Sequence, residues 1–110
     1  MSPDLLPTEP LSQVVFVHDY IQLVFQDSGF SIYNIAELRL GETSVFQGQL
    51  GFCDGLVGLI GLSLISVSAR PMLSLTFQGG VMLVVTEASS GPEAWQYNSP
   101  GCPIVVEQNA

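Results

Sequence analysis

The sequence predicts a single mainly β domain, an antiparallel β-sandwich or curled barrel built from hairpins, with at most one or two short helices. Three observations carry that prediction. A chain of 110 residues is about the modal length of one domain and leaves no room for two independent cores. Ile21, Leu23 and Phe25 alternate with Gln22, Val24 and Gln26, the period of two expected of a strand with one buried face. The alternation returns at Leu73, Leu75 and Phe77 against Ser74, Thr76 and Gln78, and both times a Phe-Gln pair runs into turn residues before an apolar strand resumes.

In chain order, residues 1–13 read as a flexible lead-in. Pro3, Pro7 and Pro10 lack backbone donors and disfavour helix and central strand alike. Ordered structure is expected from near Val14, in a domain spanning residues 14–107 with a short tail at 108–110. The start has no basic stretch leading into a continuous apolar run, so no signal peptide is expected and the expected compartment is the cytoplasm. Val14 to Val17 is the first strand. YIQLVFQDSGFSIYN reads as a hairpin with its turn at Asp27, Ser28 and Gly29 and its return strand from Phe30 to Ile35.

Leu38 to Gly51 is expected to be a long loop. The one expected helix runs from Asp54 to Ile60 with Asp54 as its cap, although Gly55, Gly58 and Gly61 weaken it. The apolar run from Gly55 to Ala69 is too short for a membrane helix. Its 15 residues would span roughly 22 Å against a hydrocarbon core of roughly 30 Å. Leu62 to Ser68 is read as a strand instead. MLSLTFQGGVMLVVT is a second hairpin, offset from the first by 52 residues, whose Gly-Gly step suits a two-residue primed turn. The last strands, Ala94 to Tyr97 and Ile104 to Glu107, bracket a turn at NSPGCP.

The segments "YIQLVF", "SIYNIAELR", "DGLVGLIG", "LTFQGG" and "GPEAW", spread from about residue 14 to 106, give the chain an order of features that resembles a group of small bacterial β-rich domains of uncharacterised function, some encoded near toxin and immunity genes. No catalytic motif comes with that resemblance. It implies a compact β fold and an interaction protein.

Charge narrows the function classes. Charged residues are 11% of the chain against roughly 25% in ordinary soluble proteins. Ten acidic residues face only Arg39 and Arg70, for a net charge of −8. Nucleic-acid affinity rests on Lys and Arg displacing counterions, so neither nucleic acid nor an anionic membrane is an expected partner. Cys53 and Cys102, 49 residues apart, have no metal-ligand spacing. Without a signal peptide they are expected as reduced thiols, and they receive no role.

Candidate chemistry is sparse. His18, the sole histidine, stands beside Asp19 and would be a general base only if distant partners reached it; no G-x-S-x-G elbow supplies a serine. Asp19, Asp27, Glu37, Asp54, Glu87 and Glu93 are the carboxylates available for acid and base work, read first as turn, cap or surface groups, with Arg39 and Arg70 the only cations able to pair a buried one. Gly55, Gly58 and Gly61 form neither G-x-G-x-x-G nor a P-loop and are read as close-packing glycines. Trp95 and Tyr97 share one side of a strand, either in the core or as an exposed anchor for a partner.

No catalytic, metal-binding or cofactor-binding residue is therefore assigned, and no cofactor is expected. The preferred reading is a non-catalytic protein-interaction or assembly module, because a β-rich chain without lysine leaves its strand edges unguarded. A homodimer is its simplest form, with another protein as a further possible partner. The competing reading is a small hydrolase-like acid/base enzyme using carboxylates and His18.

Overall fold

The computed structural model describes residues 7–70, 72–86, 93–99 and 105–108. Within them the chain forms β1 (Gln13–Val17), β2 (Tyr20–Phe25), β3 (Ser28–Ile32), β4 (Ala36–Leu40), β5 (Thr43–Phe46), α1 (Phe52–Val57), β6 (Leu64–Ser68), β7 (Ser74–Phe77), β8 (Met82–Val85), β9 (Glu93–Asn98) and β10 (Val105–Gln108). The strands make two antiparallel five-stranded sheets in a sandwich-like arrangement, ordered β1-β2-β3-β9-β10 and β5-β4-β8-β7-β6. No helix among the described residues is long and apolar enough to cross a membrane.

Period-two alternation places the core as expected. Ile21, Leu23 and Phe25 of β2 and Leu73, Leu75 and Phe77 at β7 are all buried, and Gln22, Val24, Ser74 and Thr76 are half-buried on the opposite faces. Phe25 and Phe77 stack on each other across the two sheets, ring centroids 6.3 Å apart and planes 20° from parallel. Phe30 extends the cluster, edge-on to Phe25 at 6.2 Å and against Tyr97 at 4.8 Å and Trp95 at 6.4 Å.

Several boundaries differ from the sequence reading, each for a physical reason. The β2–β3 turn is Gln26 and Asp27, with Phe25 paired to Ser28; Gln26 itself takes the positive φ of 62°. Gly29 is thus freed from the turn and lies within β3, where a Cβ would stand 2.8 Å from the Leu23 carbonyl oxygen. Gly29→Ala is accordingly expected to destabilise the fold by about 1–3 kcal/mol through overpacking, read as a lower urea midpoint at unchanged slope.

The second hairpin closes through three residues, Gln78, Gly79 and Gly80. Gly80 N–H donates to the Phe77 carbonyl at 3.0 Å and Phe77 N–H to the Val81 carbonyl at 2.8 Å. Both glycines have φ +89°, a conformation side chains resist.

The expected loop from Leu38 to Gly51 is instead largely a hairpin, β4 and β5 around Gly41 and Glu42. The helix starts at Phe52 rather than Asp54. Its N-cap is Gly51 at φ 93° with no side-chain cap, because burying Phe52, Leu56 and Leu59 on one face sets the start earlier than a capping carboxylate would. Asp54 sits in the first turn, where its charge suits the helix dipole.

The packed chain also reaches further back than Val14. Leu11 is buried; its N–H donates to the Leu62 carbonyl at 2.9 Å, and its carbonyl accepts from Gly61 N–H at 2.8 Å. The NSPGCP turn and residues 87–92 fall largely or wholly outside the described residues.

The strand orders conceal an internal repeat. One sheet, read from β1, is β1-β2-β3-β9-β10; the other, read from β6, is β6-β7-β8-β4-β5. Each half of the chain thus gives three strands to one sheet and a two-stranded hairpin to the other. Registers agree row by row: Val14, Leu23, Phe30, Tyr97 and Val105 in one sheet answer to Val67, Leu75, Leu83, Leu38 and Val45 in the other.

The two crossovers are tied together. Tyr33 and Asn34 N–H groups donate to the Ala94 carbonyl, and Thr86 N–H donates to the Ile35 carbonyl. Buried Asn34 adds a side-chain donation to the Thr86 carbonyl at 2.7 Å.

Two further contacts join the sheets. α1 lies against β1 and β4, close enough that a Cβ on Gly55 would meet Leu38 Cδ2 at 2.7 Å. Arg70, after β6, bridges to Glu107 of β10 at 2.8 Å.

Candidate functional site

The residues with catalytic potential are scattered by the fold. His18 and Asp19 form the tip of the β1–β2 turn, 3.6 Å apart with side chains 95% and 83% exposed. Asp27 lies at the other end of β2; six strand residues at about 3.3 Å each separate the two turns by roughly 20 Å. His18 therefore has no route to Asp27. Glu37 is paired with Arg39 on the outer face of β4 at 3.1 Å, and Asp54 is exposed on α1. Glu87 lies outside the described residues, and of Glu93 only its place at the start of β9 is described. Both arginines pair with carboxylates, Glu37 and Glu107, at the surface rather than in the core.

Trp95 and Tyr97 point inward and are buried, the first of the two readings the sequence allowed. Cys53 is a free, exposed thiol on α1; Cys102 lies outside the described residues. No group of three or more His, Cys, Asp or Glu side chains able to hold a metal occurs among the described residues.

A cleft of about 500 Å³ is lined by Pro7, Thr8, Glu9, Gln26, Asp27 and Ser28, with Phe25, Tyr97 and Ser99 beside them. It brings Glu9 to the same recess as Asp27. Glu9 escaped the sequence reading because it stands in a proline-rich lead-in with no periodicity to place it. The recess is formed by that lead-in folding back over the β2–β3 turn, a long-range contact with no local sequence mark.

A broader feature is the outer face of the sheet led by β1. Its central row runs Val15, Gln22, Ser31, Gln96 and Val106 across all five strands. The neighbouring row is Gln13, Val24, Gly29 and Asn98. Beyond the row's other side lie Val17 and Tyr20, with Tyr33 tilted against Tyr20 at 5.4 Å between ring centroids.

None of these residues is charged, in a chain of net charge −8. Ser31, at the centre, is only 6% exposed, and Gln96 donates to Asn98 Oδ1 at 3.3 Å along the face. The opposite sheet's outer face, by contrast, carries the Glu37 and Arg39 pair.

Those single-residue candidates of the sequence reading whose side chains are described lie off this face. It was missed because Gln, Ser and Asn at alternate positions read as solvated polar residues one strand at a time. Only the register lines them up. Comparison with protein families, curated proteins and solved structures returns no match, so the functional reading rests on this geometry.

Proposed function

We propose that the protein is a non-catalytic assembly module that associates with a second copy of itself through the uncharged outer face of the β1-β2-β3-β9-β10 sheet. The observation that carries the reading is that the described side chains of a face five strands wide carry no charge in so acidic a chain. Interface cores are depleted of charge and enriched in tyrosine, and here Asp19 and Asp27 stand in the turns at the two ends of β2, at the rim of the face rather than within its rows. The face is broadly neutral, with Val15, Val17, Val24 and Val106 for apolar burial and Gln22, Gln96 and Asn98 for hydrogen bonds.

Size bounds the contact. Five strands at about 4.8 Å spacing and five residues at about 3.3 Å give a patch roughly 24 by 17 Å, about half of the roughly 800 Å² per partner of a standard interface. Area by itself does not fix affinity; the expected association is reversible and in the micromolar class because the patch is small and offers valines and glutamines rather than a cluster of buried aromatic anchors.

Sedimentation equilibrium from about 1 to 100 μM brackets that class and is expected to show a monomer–dimer equilibrium in physiological salt. Gln22→Glu with Gln96→Glu keeps side-chain shape but places like charges at the centre of the face. It is expected to weaken the dimer at least tenfold while leaving thermal unfolding of the monomer nearly unchanged. A monomer at every concentration, or a dimer indifferent to both glutamates, would remove this reading.

The acid/base reading draws less support. Its one histidine stands at the far end of β2 from the cleft that holds Glu9 and Asp27.

A further inference from the structure

We propose that two copies of this chain exchange complementary halves, each sandwich then being built from the first five strands of one copy and the last five of the other. The inference is independent of the proposed face and rests on strand order. Within either half, the β4–β5 hairpin does not pair with β3, nor the β9–β10 hairpin with β8. β4 pairs with β8, and β9 with β3. The sandwich is thus two interlocked five-stranded units held by one covalent connection, and every pairing between them is open to the same half of another chain.

That connection is short and separable. α1 lies against β1 and β4, both in the first half, so it stays with its own unit. The hinge is the turn from Ile60 to Ser63, just after buried Leu59; Gly61 holds φ +96° there, and the backbone bonds of Leu11 with Gly61 and Leu62 and of Leu62 N–H to the Leu59 carbonyl span the halves locally. Those bonds re-form unchanged when residues 61–62 belong to a second copy.

Side-chain size decides which halves fit. One sheet places Phe30, Ile32, Trp95 and Tyr97 at positions where the other has Leu83, Val85, Ala36 and Leu38. Two first halves together would put Ala36 at both the Trp95 position and its counterpart and leave a void; two second halves would put Trp95 at both and overfill the core. Both errors destabilise. Only a first half with a second half reproduces the native volume. The exchange partner is accordingly the opposite half of another copy. Intrachain closure competes through its high effective concentration, so exchange is favoured when chains fold together at high concentration.

Two full-length chains remove that competition. The first carries Leu23→Asp and Phe30→Asp, crippling its first half but keeping Trp95 in an intact second half. The other carries Leu75→Asp, Leu83→Asp and Trp95→Phe, crippling its second half and removing the sole tryptophan. Each alone is expected to show no cooperative unfolding transition. An equimolar mixture refolded together is expected to regain a cooperative urea transition, a blue-shifted tryptophan emission and a 1:1 complex.

Adding Gln22→Glu and Gln96→Glu to both chains is expected to leave complementation intact, which separates exchange from association through the face. A mixture that behaves as the sum of its parts overturns the proposal, as does complementation abolished by the two glutamates. A crippled chain that folds by itself also overturns it, because two charges tolerated at buried, inward-facing positions would mean that the strand map is wrong.

Discussion

Phe25→Ala and Phe77→Ala are each expected to cost about 3–5 kcal/mol, enough to consume much of the stability of a domain this small. Both rings are buried, and each is the last inward residue before its hairpin turn. They come from different sheets and stack on each other at 6.3 Å, so the two losses are not independent. Truncating one ring leaves a void against the other's face, and the second truncation then removes fewer contacts. The double variant is expected to fall short of additivity by about 0.5–1.5 kcal/mol. Urea unfolding of the two single variants and the double variant measures this directly. Additive losses, or a loss below about 1 kcal/mol at either site, would show that the rings do not meet across the sandwich.

Phe52→Ala is expected to cost a similar 3–5 kcal/mol, by a different route. A helix of six residues has no stability of its own in water and stays folded only because Phe52, Leu56 and Leu59 are buried in the core. Losing the largest of these side chains loosens α1 from β1 and β4, against which it lies. The strand QVVFV would then present an uncharged, apolar edge. Such an edge templates pairing with other chains. The variant should therefore aggregate during thermal unfolding at concentrations where Phe25→Ala of equal stability does not, as light scattering can record. Equal scattering from both would mean that α1 does not shield that edge.

What could be read in the sequence was whatever depends on one strand at a time. β2 and β7 declared themselves because each has one wet face, so Leu and Phe alternate with Gln, Ser and Thr. β4 alternates as well, Ala36, Leu38 and Leu40 against Glu37 and Arg39. The hairpin was hidden because β5 is an edge strand with Val45 as its inward residue, preceded by Gly41, Glu42, Thr43 and Ser44. The helix start was misplaced for a related reason. A side-chain cap is a local signal, whereas the burial of Phe52 is a tertiary one.

The candidate site was less legible than the fold. His18 and Asp19 are adjacent in sequence and drew attention for that reason, yet they crown an exposed turn. Gln22, Ser31 and Gln96 are neighbours only through register. Glu9 lines the same cleft as Asp27 only because the lead-in folds back.

By itself, then, the sequence determined the β class, the two similar hairpins, the burial of their phenylalanines and the acidic character of the chain. All follow from residue type and a two-residue period, which are properties of a chain segment alone. The tertiary structure decided which hairpin joins which sheet, and with it the exchange of β4–β5 and β9–β10 between halves, the uncharged face and the cleft. Strand pairing is set by how side-chain volumes from distant segments fill a shared core, and that sum has no value until the segments meet.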